Sequence, residues 1–269
     1  MEREFWRAVL RWLDTHSGAG LFFHLSQVPL GGPIHAALQA VLDEQGRRAS
    51  IVHEERRAML SSPLHAQDYF EASLSGKKRK ELRRQHTRLG ELGNLAFERR
   101  DDEHRLGRWI DDFLALEHSG WKGAAGSALA SHHATAQMFR EALSGAASRG
   151  KLERLTLTLD DEPIAMLANF ITPPGAYSYK TAFDERYARF SPGVLLQREN
   201  LALLDRGGID WCDSCAAADH PMIDHIWRER RRVGRISIAI GGPVRRALFG
   251  QLLRAELGRS PTGIDGLTG

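Results

Sequence analysis

Near the start of the chain, apolar residues recur at helical spacing. Phe5, Trp6, Val9, Leu10 and Leu13 share one face of a predicted helix over 3–15. GLFFHLSQV (20–28) then reads as a buried strand. Pro33 opens a second helix that Gly46 stops, and 49–60 reads as another strand. Ser73 or Ser75 caps a long helix through about residue 92, whose apolar stripe is narrow: Leu74, Leu82, Leu89 and Leu92.

The pattern changes from residue 94 on. NLAFERR (94–100) predicts a strand and is followed by two helical segments, HRLGRWIDDFLALEHSG and ALASHHATAQMFREALSGAASRG. In LERLTLTLD (152–160), Leu155, Leu157 and Leu159 alternate with Arg154, Thr156 and Thr158, as in a strand with two different faces. Asp160-Asp161-Glu162-Pro163 turns the chain into PIAMLANFIT, apolar enough for a central strand. AYSYKTAFD (176–184) is the next strand, with Tyr177, Tyr179, Thr181 and Phe183 expected on one face and Ser178 and Lys180 on the other. A helix over 191–208, a strand IDWCDS, a short helix HPMIDHIWRER, a strand VGRISIAIG and a closing helix complete the order. The tail 258–269 is rich in Gly, Ser, Pro and Thr and is expected to be disordered. Three consecutive antiparallel strands, a helix and a parallel crossover predict an α/β fold, a mixed sheet flanked by helices on both faces.

Composition narrows the function classes. The 269 residues are 42% apolar and 26% charged, ordinary for a globular protein. No run approaches the roughly 18 apolar residues a membrane helix needs. Two cysteines make no disulfide framework, so a cytoplasmic setting is expected. A net charge of +3 gives no polycationic face.

Four strings carry a family resemblance: SGKKRKELRRQHTRL (75–89), FLALEHSGWKGAAGSAL (113–129), YSYKTAFDERYARFSPGVLL (177–196) and DHPMIDHIWRERR (219–231). In that order they resemble the CelD-like branch of the GNAT acyltransferases, relatives of the FemAB aminoacyltransferases. The resemblance implies two GNAT-like halves in tandem. Residues 1–92 would hold part of a first half plus the basic helix, 93–257 the acyltransferase domain and 258–269 the tail. The opening helices and strands of the first half have no counterpart in residues 1–60. The implied activity is transfer of an acyl group from acyl-CoA, as co-substrate, to an amine on a small molecule, peptide or polysaccharide. A FemAB-like aminoacyltransferase using charged tRNA and a catalytically silent GNAT-fold binding module are the alternatives.

Candidate residues follow from chemistry and resemblance together. Ser191, Gly193, Val194 and Leu195 open a helix after the central strand. There, unpaired N–H groups and partial positive charge suit the pyrophosphate of coenzyme A. Pro192 and Val194 flank a single glycine, where GNAT enzymes usually carry Gly-x-Gly or Gly-x-Ala. Arg186 and Arg189 add charge. Direct attack by an amine on a thioester needs positioning, a proton acceptor and a polarised carbonyl. Tyr179, Asp184 and His220 are the catalytic candidates; Glu117, Trp121, Lys122, Tyr177 and Lys180 are the substrate-binding ones.

Two features invite other readings. Cys212, Cys215, His220 and His225 have a spacing like that of a zinc knuckle. The two cysteines fall at a strand end and His225 in the short helix, so no metal site is expected. Seven cations lie between Lys77 and Arg88, facing tRNA or another anionic surface, or simply water. An uncovered sheet edge in a partial first half would favour a homo-oligomer. P-loop, G-x-S-x-G, H-E-x-x-H and G-x-G-x-x-G signatures are absent from the sequence.

Overall fold

The structure, a computed structural model, describes residues 1–257; the expected disorder of 258–269 lies outside them. In chain order the elements begin with α1 (Glu2–His16), β1 (Phe22–Pro29), α2 (Pro33–Glu44), β2 (Ala49–Leu60), α3 (Ala66–Ser73) and α4 (Gly76–Gly90). Next come β3 (Leu95–Arg100), α5 (Leu106–Ser119), α6 (Trp121–Ala124), α7 (His133–Ala147), β4 (Leu152–Leu159), β5 (Glu162–Thr172) and β6 (Gly175–Phe183). The last are α8 (Pro192–Asn200), β7 (Trp211–Asp213), β8 (Glu229–Ala239) and α9 (Pro243–Leu257).

These elements pack as two compact units, one of residues 1–56 and 231–257, the other of 57–230. The packing boundaries fall at 56/57 and 230/231, whereas the tandem-half reading divides the chain at 92/93. In the first unit, β1 pairs antiparallel with β8, from Phe22↔Ala239 to Pro29↔Val233. Its core joins Trp6 and Leu10 of α1, Leu38 and Val41 of α2, and Ile51, Ile236 and Ile238 of the strands. Phe5, expected on the buried face of α1, is exposed.

The second unit holds the mixed sheet. Its strand order is β7-β6-β5-β4-β3, with the last residues of β2, Met59 and Leu60, on the outer side of β7. β3 through β6 are antiparallel in sequence order, while β6 and β7 run parallel. One face is covered by α5 and α7, whose Trp109, Phe113, Phe139 and Leu143 pack on Met166 and Ala168 of β5. The other is covered by α8 and α4, whose Leu195, Leu196 and Leu89 meet Leu155, Leu157 and Leu167. This is the α/β arrangement that the apolar pattern predicts.

Two local expectations fail, and one helix was not expected. α3 falls in a stretch with no strong periodic signal, and its Tyr69 and Phe70 are buried. HPMIDHIWRER forms consecutive turns rather than a helix, ending in a β8 that begins at Glu229. The α8 helix gives way to a 3-10 turn at Leu201 rather than running to 208.

Candidate active site

Strand β6 organises the site. Its partner β7 is only three residues long, and the parallel pairing stops at Tyr177↔Asp213. The chain then turns away through Ser214 and Cys215, whose φ of 53° is left-handed. The edge of β6 from Ser178 to Phe183 is thus not continued by β7, and the two strands splay. Gly175 sets the start of the pairing, because a Cβ there would fall inside the Trp211 ring.

At the splay, β6 carries a bulge. Asn169 pairs with Ser178 and Ala168 with Lys180, so Tyr179 is the extra residue with no opposite number. The bulge overturns the expected alternation. Tyr179 packs with Phe139 and Phe170 on the α5 side, and the next residue, Lys180, reaches Glu117 of α5. Thr181 then faces α8, where its hydroxyl accepts from Gln197 Nε2 at 3.3 Å. Without a bulge, Tyr179 and Lys180 would point to opposite faces.

Glu117 is the centre of the α5 side. It follows Ile110, Phe113 and Leu114 on the buried stripe of the helix. Its Oε1 accepts from Lys122 Nζ at 3.0 Å and lies 3.5 Å from Lys180 Nζ; its Oε2 accepts from the Leu129 N–H at 2.8 Å. Burial raises the carboxyl pKa, but the Leu129 N–H and the two ammonium groups outweigh it and hold the group below the usual range. An ionised carboxylate inside the unit is therefore matched by two cations. Trp121 opens α6 with its ring exposed, and its N–H donates to Glu185 Oε1 at 2.7 Å.

Tyr179 is half-buried. Burial, and then the nearby Cys215 and Glu117, raise its phenol pKa, so the hydroxyl stays protonated at neutral pH. His220, also half-buried, is shifted the other way, first by burial and then by the charge of Lys122; Asp224 opposes both. Its imidazole is neutral at pH 7, and its Nδ1 is buried with no hydrogen-bond partner among the described residues. Tyr177 stands edge-on to Trp211, with ring centroids 5.5 Å apart.

Asp184 is placed differently. Its carboxylate accepts from the Arg186 N–H at 2.9 Å and from the Arg186 guanidinium at 2.6 and 2.9 Å. Arg186, foremost among the causes, holds the carboxyl pKa below its usual value. This residue caps the 3-10 turn Glu185–Phe190, and its oxygens are already engaged.

The start of α8 offers less free backbone than a helix N-terminus usually does. Pro192 has no N–H, and Val194 and Leu195 both donate to the Ser191 carbonyl, at 2.9 and 3.0 Å. Gly193 supplies the remaining amide of the first turn. A Cβ on Gly193 would stand 2.6 Å from Met222 Sδ and 3.3 Å from Phe183 Cδ1. Arg189 lies over the Phe190 ring, with Cζ 4.6 Å from the centroid.

Sequence reasoning passed over a buried polar chain beneath α8. Glu153 accepts from Arg206 at 2.6 Å, Arg99 at 2.8 Å and Asn169 at 2.9 Å, and Asn169 also donates to Asn200 at 2.7 Å. Asn200 continues to Gln197, which donates to Thr181 on β6. Asn169, alone in the apolar run PIAMLANFIT, was the available signal. For the zinc-like string, Cys212 is buried in β7 with its thiol pKa pushed up by burial, and His225 is exposed. Among the described residues, no group of three or more His, Cys, Asp or Glu side chains is arranged to hold a metal ion.

Known proteins resemble the chain in family and fold. The family model described as an acetyltransferase (GNAT) domain matches residues 76–221, more than half of the chain. The chain belongs to the GNAT acetyltransferase family. No curated protein matches it. The fold resembles that of FemX at a TM-score of 0.57, with 10% identity over 93% of this chain and 79% of that one. It also resembles the C-terminal DUF2156 domain of a putative lysylphosphatidylglycerol synthetase from Agrobacterium fabrum, at a TM-score of 0.55, with 16% identity over 99% and 82% of the two chains. A conserved protein of unknown function from Bacteroides thetaiotaomicron gives a TM-score of 0.55, with 13% identity over 88% and 75%. At these identities the likeness concerns the GNAT fold alone. No helix among the described residues is long and apolar enough to cross a membrane.

Proposed function

We propose that the chain is an N-acyltransferase of the CelD-like, FemAB-related branch that moves an acyl group from acyl-CoA to an amine. The observation that carries this reading is the bulge at Tyr179, at the point where β6 parts from β7. A bulge leaves backbone polar groups outside the ladder. Here they lie along the edge that a pantetheine arm would follow, with its phosphates toward Gly193 and Arg189. A thioester carbonyl held against the bulge N–H groups is polarised where its negative charge develops.

The remaining roles follow from charge state. Neutral His220 takes a proton from the acceptor ammonium. The freed amine attacks the carbonyl carbon, the C–S bond breaks, the departing CoA thiolate takes a proton from the Tyr179 hydroxyl, and the Tyr179 phenolate takes back the proton that the new amide nitrogen loses. Lys122 and Lys180, anchored by Glu117, orient the acceptor or the acyl oxygen. Tyr177 and Trp121 line the approach. Asp184 acts through the turn it caps, and Arg186 through Asp184. The acceptor is an amine on a small molecule, peptide or polysaccharide.

Calorimetric titration with acetyl-CoA and a longer acyl-CoA tests the reading. Saturable binding that weakens in Gly193→Val supports it. Absence of binding to every CoA species contradicts it and moves the donor to a charged tRNA, or the protein to a silent binding module.

A further inference from the structure

The basic helix α4 packs beside the start of α8. Gln85 Nε2 donates to the Arg189 carbonyl at 3.4 Å. Between them is a groove of about 360 Å³ lined by Glu81, Arg84, Gln85 and Arg88 of α4 and by Arg189 and Phe190. Arg84 and Arg88 are one helical turn apart, so both guanidinium groups project along the same face.

The pairing of these cations distinguishes them. Arg84 is held by Glu81 at 2.6 Å. Arg88 and Arg189 have no carboxylate at ion-pair distance among the described residues. Arg189 Cζ stands 4.6 Å from the Phe190 ring centroid, a cation–π contact that leaves its charge unneutralised. Two unneutralised guanidinium groups facing one groove are suited to a dianionic phosphate monoester, which accepts several N–H bonds at once. Arg84, Arg88 and Arg189 outnumber Glu81 and Glu91 in the groove lining, and a phosphate dianion gains more from that net positive charge than a singly charged ligand does.

On the reading that the donor is acyl-CoA with its pyrophosphate near Gly193, we infer that Arg88 and Arg189, assisted by Arg84, hold the 3′-phosphate of the CoA ribose. Arg189 is two residues before Ser191, which opens α8. The 3′-phosphate is attached one ribose beyond the pyrophosphate, so one CoA molecule bridges the helix start and the groove. The outer face of α4 thereby becomes part of the donor site.

The test compares CoA with 3′-dephospho-CoA by calorimetry on the parent, Arg88→Gln, Arg189→Gln and the double variant. The parent should bind CoA about tenfold or more tightly than dephospho-CoA, the range of one or two charge-assisted contacts. The double variant should bind both ligands equally, at the parent's affinity for dephospho-CoA. Equal affinity of the parent for the two ligands, with both bound, overturns the 3′-phosphate site while leaving the acyl-CoA reading intact. The same holds if the variants lose both ligands in proportion. If neither ligand binds the parent, the acyl-CoA reading itself fails and takes the subsite with it. Poly(U) binding that is lost in the double variant, with no CoA discrimination in the parent, would make the groove a nucleic-acid face and overturn the inference.

Discussion

Lys180 Nζ stands 3.5 Å from Glu117 Oε1, the same oxygen that accepts from Lys122 Nζ at 3.0 Å. Two ammonium groups therefore depend on one buried carboxylate, and the cluster carries a net single positive charge. Glu117→Ala leaves the two cations facing each other and the Leu129 N–H without its acceptor. It should lower the unfolding free energy by about 1–3 kcal/mol, read from urea transitions. Lys122→Met, which leaves Lys180 in place, should cost less.

The same carboxylate sets an acid dependence. Its folded pKa is below the ordinary 4.5, so its contribution is complete above that pH and is lost as the pH falls through and below it. The stability difference between the parent and Glu117→Gln should be constant from pH 7 to 5 and shrink toward pH 3. A difference that does not change with acid would contradict the ion-pair account.

His220 is shifted below 6.5 by burial and by Lys122. Were it the proton acceptor, kcat/KM for amine acylation would rise through a midpoint below pH 6.5. That limb should vanish in His220→Ala. A midpoint above 6.5, or an unchanged limb in the variant, would remove His220 from the proposed role.

Asp184 makes the opposite case. Its oxygens are occupied by Arg186 and by the cap of a 3-10 turn. Asp184→Asn should cost about 1 kcal/mol in stability and leave the pH profile of kcat unshifted. A profile that moves with Asp184→Asn would make it a titrating catalytic group.

A side chain on Gly193 would meet Met222 rather than open space. Met is flexible, so Gly193→Ala should fold with Met222 displaced and lose affinity for CoA. Trimming Met222→Ala in that background should restore part of the affinity if the loss is steric. No restoration would indicate that the amide of Gly193, not the room around it, is what the ligand needs.

The legible parts of the sequence were those with a clean period. LERLTLTLD and PIAMLANFIT announced the central strands, and HRLGRWIDDFLALEHSG announced a helix. The bulge was not legible, because YSYKTAFD fits a regular alternation and the extra residue shows only in the pairing with β5. The segment 221–226 was expected as a helix but forms turns; Ile223, Ile226 and Trp227 have helical spacing, yet their burial comes from tertiary packing. Glu117 could be picked out by position, as a carboxylate in an apolar stripe, but its second lysine, Lys180, is 63 residues away along the chain. The polar chain from Glu153 to Thr181 joins β4, β5, β6 and α8, which only the fold brings together.

The central claim is that the donor lies along the free edge of β6, at the bulge, with its phosphates at the start of α8. Amide hydrogen exchange with and without saturating acetyl-CoA tests it most directly. The account predicts slowed exchange in 178–183 and at Gly193, with little change in β3 and β4. Saturation with acetyl-CoA that leaves 178–183 and Gly193 unchanged, or that protects another surface instead, would contradict it.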